Sequence, residues 1–234
     1  MFTFDSVVRY SEVDSDGKLT LPEVINYFQD CSELHSRSLG VSVTANVDAG
    51  WVLNSWQIEI NRYPSINEHI KVGTAPHKIK GIQGDRNFLM YDENGEVIIY
   101  ANSIWSYFDF INNKPARVPE SQMEAYKLEP AYDMEYAPRR IAIKDIDDDA
   151  FKSVADVSVT KSMIDLHGHM NNGNYVLVAM DYLPDDYIFN KVRVEYLLPT
   201  VCGEVLEVKQ YKDDERLVTL LSGSDGLHAI VEFS

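Results

Sequence analysis

Two stretches of this chain repeat the same turn chemistry 151 positions apart. Asp14-Ser15-Asp16-Gly17-Lys18-Leu19 lies over Asp165-Leu166-His167-Gly168-His169-Met170 without a gap. A strand-like run precedes each stretch, and a helical pattern followed by four more strand-like runs comes after it. In the first half the strand spans residues 3–10. Pro22 opens a helix over residues 22–40, where Val24, Ile25, Phe28, Cys31 and Leu34 recur at three- and four-residue spacing. Strands follow over residues 51–62, 68–80, 85–92 and 96–109, with Asn94-Gly95 marking a tight hairpin. In the second half the strand covers residues 151–161 and an amphipathic helix residues 169–183. Strands at 191–198, 204–211, 216–222 and 227–233 complete it. Strand, helix, four strands, twice over: the order specifies a duplicated α+β unit, each helix packed on an antiparallel sheet.

Between the halves, residues 112–150 hold Pro115, Pro119, Pro130 and Pro138 among many charges. They read as a connector too long for an ordinary turn. The expected organisation is a first unit over residues 1–111, this connector, and a second unit over residues 151–234. A second echo sets Arg62-Tyr63-Pro64-Ser65-Ile66 beside Leu197-Leu198-Pro199-Thr200-Val201.

The two copies of the turn are chemically unequal. Where the first has Asp16 and Lys18, the second has His167 and His169. A carboxylate and two imidazoles delivered to a helix start can move a proton and stabilise an oxyanion through the free amides of the first turn. Asp165, His167 and His169 are therefore the catalytic candidates, with the Gly168 and His169 backbone amides as oxyanion donors. A polar turn whose side chains only satisfy one another is the competing reading, and His167 stays open between the two. Asn171, Asn172 and Tyr175 fall on the first helical turns, where capping and packing compete with substrate contact. Trp51, Trp56, Phe28 and Leu34 in the first half suit either the lining of a binding tunnel or an ordinary core.

Glu12 to Glu23 nearly spells a calcium-binding loop, with acids at positions one, three, five and twelve and glycine at six. Its first residue is Glu, and a strand enters it where a helix is required. The repeat accounts for the same residues as a strand-to-helix turn. No metal site or cofactor is expected.

A net charge of −16 disfavours a nucleic-acid partner. No apolar run approaches the roughly 20 residues of a membrane span. Two distant cysteines, Cys31 and Cys202, and no secretory leader pattern fit a reducing, cytoplasmic setting.

With the duplication established, the chain resembles the acyl-acyl carrier protein (ACP) thioesterases of bacteria and plant plastids. The resemblance rests on the first helix, Trp56, Asn61-Arg62-Tyr63-Pro64, residues 102–105 and Arg117-Val118-Pro119. In the second half it rests on Asp165, Gly168-His169-Met170-Asn171-Asn172, Tyr175 and Glu195-Tyr196. It implies a tandem, or double, hot-dog fold, each unit a long helix wrapped by an antiparallel sheet. It also implies release of free fatty acid from acyl-ACP, terminating fatty acid synthesis, with water attack assisted by Asp165 and His169. The first unit would hold the acyl chain and the second would do the chemistry. The family pattern Asp-x-Asn-x-His-x-Asn-Asn-x-x-Tyr is altered here: His167 replaces the Asn. The family's Glu four residues beyond Glu195 is Pro199, and its neighbouring plant Cys is Thr200.

ACP is acidic, so recognition by this chain would need a local basic patch. Lys78, Lys80, Arg86, Arg139, Arg140, Lys191 and Arg193 are the candidates. An acyl-coenzyme A thioesterase and a non-catalytic acyl-binding hot-dog protein remain the rival readings. Pairing into a homodimer is left open.

Overall fold

The computed structural model describes residues 1–41 and 48–234. The chain forms two compact units, Met1–Ala137 and Pro138–Ser234.

In the first unit, β1 (Phe2–Val7) leads through a short 3-10 turn to α1 (Leu21–Ser38). Four long strands follow: β2 (Ala49–Ile60), β3 (His69–Lys80), β4 (Gln83–Tyr91) and β5 (Val97–Asp109). They pair antiparallel in the order β1-β3-β4-β5-β2. A two-residue strand β6 (Lys114–Pro115) and a one-and-a-half-turn helix α2 (Glu120–Ala125) complete the unit. The second unit repeats the plan with β7 (Lys152–Ser158), α3 (Asn172–Met180), β8 (Lys191–Tyr196), β9 (Val205–Lys212), β10 (Leu217–Gly223) and β11 (Gly226–Phe233). Its antiparallel order is β8-β11-β10-β9-β7.

The helix of unit 1 forms where its periodicity places it, because Val24, Ile25, Phe28 and Cys31 bury one face completely. It stops where Gly40 adopts φ 73° and the Val41 N–H reaches back to the Ser36 carbonyl, an end that only a left-handed residue allows. Phe28 packs on Trp56 and Phe88 at centroid distances of 5.9 and 5.2 Å, the hydrophobic centre of the unit. Leu34, expected on this face, is 40% exposed and is not part of that core. Unit 2 has its own core of Val159, Met170, Tyr175, Val178, Leu206, Val208, Leu221 and Ala229.

Three expectations need correction. The first strand ends at Val7, not Tyr10: Arg9 pairs with Glu12, which turns the chain early. The second helix starts at Asn172 rather than His169. The Met170 N–H is taken by the Thr200 carbonyl and the Asn171 N–H by the Met163 carbonyl, so the chain is still bridged to its neighbours there. That helix is nine residues long and buried around most of its surface rather than along one stripe. Finally, residues 112–150 are divided between the units. Val118 and Tyr126 are buried in the first, and Ile141 joins a second-unit cluster with Phe151, Val218 and Ile230.

Candidate active site

The turn around Asp165 is closed by four backbone amides. The Asp165 N–H donates to the His169 carbonyl (2.8 Å) and the Gly168 N–H to the Asp165 carbonyl (3.1 Å). The His167 and His169 N–H groups both donate to Asp165 Oδ1, at 2.8 and 3.3 Å. Gly168 sits at φ 82°, a conformation that a side chain would strain. The first copy is built the same way, bond for bond. Asp14 Oδ1 accepts from Asp16 and Lys18 at 2.9 and 3.0 Å, and Gly17 takes φ 70°. The backbone closure Asp14 to Lys18 and Gly17 to Asp14 also recurs.

A third instance closes the β4–β5 hairpin. Asp92 Oδ1 accepts from Asn94 and Glu96, and Gly95 stands at φ 82°. The sequence Asp-x-x-Gly-x is thus a general turn device in this protein, and the carboxylate is its keystone. Turn geometry alone accounts for one oxygen of Asp165. What sets the second-unit turn apart is the pair of imidazoles. His167 and His169 are both exposed, and neither ring has a hydrogen-bond partner among the described residues.

Two sequence-based roles are corrected by this geometry. The Gly168 and His169 amides are not helix N-terminal groups, because the helix begins later, and both are engaged within the turn. They are not oxyanion donors in this arrangement. Asp165 likewise makes no carboxylate–imidazole bond to His169; it acts on His169 through the backbone.

Asn171 is the N-cap of α3, its Oδ1 accepting from the Gly173 N–H at 2.8 Å. The Asn172 carbonyl accepts from the Tyr196 hydroxyl at 2.9 Å. Tyr175 is buried, with burial as the first cause holding its hydroxyl above the usual phenol range. Its hydroxyl accepts from the Thr200 N–H (3.0 Å) and donates to Thr200 Oγ1 (2.9 Å). Thr200 Oγ1 lies 2.7 Å from His228 Nδ1, and His228 Nε2 lies 2.7 Å from Asp225 Oδ1. With Tyr175 donating, the hydroxyl proton of Thr200 goes to His228 Nδ1, which leaves Nε2–H to donate to Asp225. Thr200 and His228 are fully buried.

This chain of four side chains holds the Thr200 carbonyl that anchors Met170, the residue directly after His169. The sequence reading missed His228 and Asp225. Their only signal was an acid and a histidine three residues apart across the Asp225-Gly226 turn.

The structure also shifts the second echo by one residue. Glu68 Oε2 accepts from the Ser65 N–H as Glu204 Oε2 accepts from the Val201 N–H. Pro64 and Thr200 supply the carbonyls for Leu19 and Met170. Thr200 is therefore the partner of Pro64, and Pro199 that of Tyr63.

In unit 1, Phe28 and Trp56 are core residues. Trp51 is half-buried and lies against the Gly84 backbone, where an added Cβ would come within 3.0 Å of its ring. Two members of the supposed basic patch are otherwise employed. Arg86 is buried, and Arg193 pairs with Glu232 (3.0 Å) and donates to the Pro138 carbonyl. Lys78 faces Asp85 at 3.3 Å. In the calcium-like loop, Glu12 is buried against Arg9 and Tyr27, and Asp14 closes the turn. No helix among the described residues is long and apolar enough to cross a membrane.

Residues 1–126 match the acyl-ACP thioesterase N-terminal domain and residues 146–226 its C-terminal domain. The chain belongs to the acyl-ACP thioesterase family. A chloroplastic acyl-[acyl-carrier-protein] hydrolase of Cuphea viscosissima is 25% identical over 87% of this chain. The chain spans about half the length of that relative, 50% of it. An acyl-ACP thioesterase structure from Bacteroides thetaiotaomicron superposes with a TM-score of 0.88 at 22% identity, covering 99% of this chain and 96% of the other. The 12:0-ACP thioesterase of Umbellularia californica gives 0.85 at 17% identity, covering 100% and 96%. The family's double hot-dog fold is the one described above.

Proposed function

We propose that the chain hydrolyses the thioester of an acyl-ACP, with unit 2 performing the chemistry and unit 1 holding the acyl chain. The observation that carries this reading is the inequality of two matched turns. Both share the four hydrogen bonds that close the turn, yet only the second presents imidazoles, and it does so at the family's motif. His169 is the general base: it removes a proton from water as the water oxygen attacks the thioester carbonyl. The tetrahedral intermediate then collapses, the C–S bond breaks, and the thiolate leaves with the proton that His169 returns. Asp165 is a positioning residue that fixes the turn bearing His169. His167 stands where the family pattern has Asn, and serves as the side-chain donor to the developing oxyanion in place of the engaged turn amides.

A panel of acyl-ACPs, followed by release of the carrier thiol, tests the proposal. Turnover that exceeds turnover of the same acyl group on coenzyme A supports it. Equal or better turnover of the coenzyme A ester makes the chain a general acyl thioesterase. Acyl-ACP that stays bound and intact through long incubation makes it an acyl-binding protein and refutes the reading.

A further inference from the structure

Arg86, on β4, is only 6% exposed, yet no carboxylate pairs with it among the described residues. Residues 42–47, Ser-Val-Thr-Ala-Asn-Val, contain no acid either. Its two protein hydrogen bonds both leave from Nη1 and both end on neutral acceptors, His35 Nδ1 at 3.1 Å and Thr74 Oγ1 at 3.2 Å. The face of Tyr126 covers it, with Cζ 5.2 Å from the ring centroid.

Its titratable neighbours His35 and Cys31 carry no charge. Burial first, then Arg86, push His35 down to about 4, so the ring is neutral. Burial pushes the Cys31 thiol up to about 12. The acid on that side, Glu129, is taken by the Met1 ammonium. Burial also lowers the guanidinium's own pKa. A cation this buried without a counter-charge is costly, a cost that an arriving anion would offset.

The Nε–H and the two Nη2–H groups have no acceptor among the described residues. Nε–H and one Nη2–H run parallel, forming the side-on fork that takes a carboxylate through two hydrogen bonds. One cation balances one negative charge, which favours a carboxylate over a phosphate dianion.

We propose that Arg86 is a carboxylate-binding site within unit 1. Two sources share this chemistry: the head of a free fatty acid, and a distal carboxylate on an acyl chain. The site stands on its own geometry, whereas the second source rests on the thioesterase reading.

Calorimetric titration with octanoate and methyl octanoate tests the site in the absence of turnover. Wild-type protein should bind octanoate at least about tenfold more tightly than the ester, and Arg86→Met should abolish that preference. Equal binding of acid and ester by wild type, or an unchanged preference in a folded Arg86→Met, overturns the proposal. If Arg86→Met does not fold, a crystal structure of wild type with octanoate decides. A carboxylate within hydrogen-bond distance of Nε and Nη2 supports the site, and a carboxylate elsewhere refutes it.

The two sources separate kinetically. Preference for an ω-carboxyacyl-ACP over the plain acyl-ACP, lost in Arg86→Met, identifies the acyl chain. Competitive inhibition by octanoate without that preference identifies the fatty acid. Absence of any hydrolysis sinks the thioesterase reading while leaving the titration result intact.

Discussion

Because three turns in this protein are built alike, removing the keystone carboxylate from each separates architecture from chemistry. Asp165→Ala strips the acceptor from the His167 and His169 amides, bonds of 2.8 and 3.3 Å. Asp14→Ala does the same to amides at 2.9 and 3.0 Å. These amides lie near solvent and turn to water, so the loss resembles that of a helix cap, about 1 kcal/mol each. For a chain of this size that lowers the melting temperature by about 2–4 °C. Asp92→Ala should cost more, because Asp92 also accepts from Arg62 at 3.0 Å.

Thermal unfolding and acyl-ACP turnover are measured on all three variants. The stability losses of Asp14→Ala and Asp165→Ala should match, while only Asp165→Ala loses activity, since only that turn carries His169. Asp165→Asn keeps an acceptor oxygen and should recover both stability and turnover, the latter to within about tenfold of wild type, or 1.4 kcal/mol. If Asp14→Ala lowers turnover as far as Asp165→Ala, the division of labour between the copies is wrong. If Asp165→Asn is as inactive as the Ala variant, Asp165 acts through its charge rather than through the turn.

Thr200→Val keeps the shape of a buried side chain but leaves the Tyr175 hydroxyl and His228 Nδ1 without their shared partner. It should cost about 1–3 kcal/mol by urea unfolding and lower turnover by loosening the Met170 anchor. His167→Asn restores the family pattern with another side-chain donor, so its kcat on acyl-ACP should stay close to that of wild type, whereas His167→Ala should lose about tenfold or more.

The neutral His35 ring makes stability depend on pH. Its folded pKa lies at about 4, against an ordinary 6.5, so between those values the unfolded chain binds a proton that the folded chain does not. That contribution is complete above pH 6.5 and is lost as pH falls toward about 4. His35→Gln should flatten the decline in urea midpoint between pH 7 and pH 5.

Most of the fold was legible because its determinants are local. Val24, Ile25, Phe28 and Cys31 announce α1 by their spacing, and Gly40 marks its end. The β-rich runs carry their own turn residues between them. The repeat was legible at Asp14 and Asp165 because Asp-x-x-Gly-x must close the same way wherever it occurs.

What escaped the sequence depends on partners distant along the chain. Nothing around His169 reveals that the Met170 and Asn171 amides are claimed by Thr200 and Met163, which delays the helix, or that Asp165 engages the Gly168 and His169 amides within the turn. The register of the second echo was misread because the two prolines look equivalent, whereas the Glu68 and Glu204 carboxylates set it one residue later. Arg86 reads as a surface cation in sequence, since its burial comes from α1, β3 and Tyr126 together. His228 and Asp225 flank an ordinary hairpin turn, and their link to Thr200 exists only in the folded unit.

The central claim is that the second turn does the chemistry through His169. Its most direct test is kcat/KM for acyl-ACP hydrolysis by wild type and His169→Ala, with folding of both checked by thermal melting. The ring has no hydrogen-bond partner among the described residues, so its removal should leave the melting temperature within about 2 °C of wild type. Hydrolysis should fall by about a hundredfold or more. Turnover by a folded His169→Ala protein within about twofold of wild type would contradict the claim.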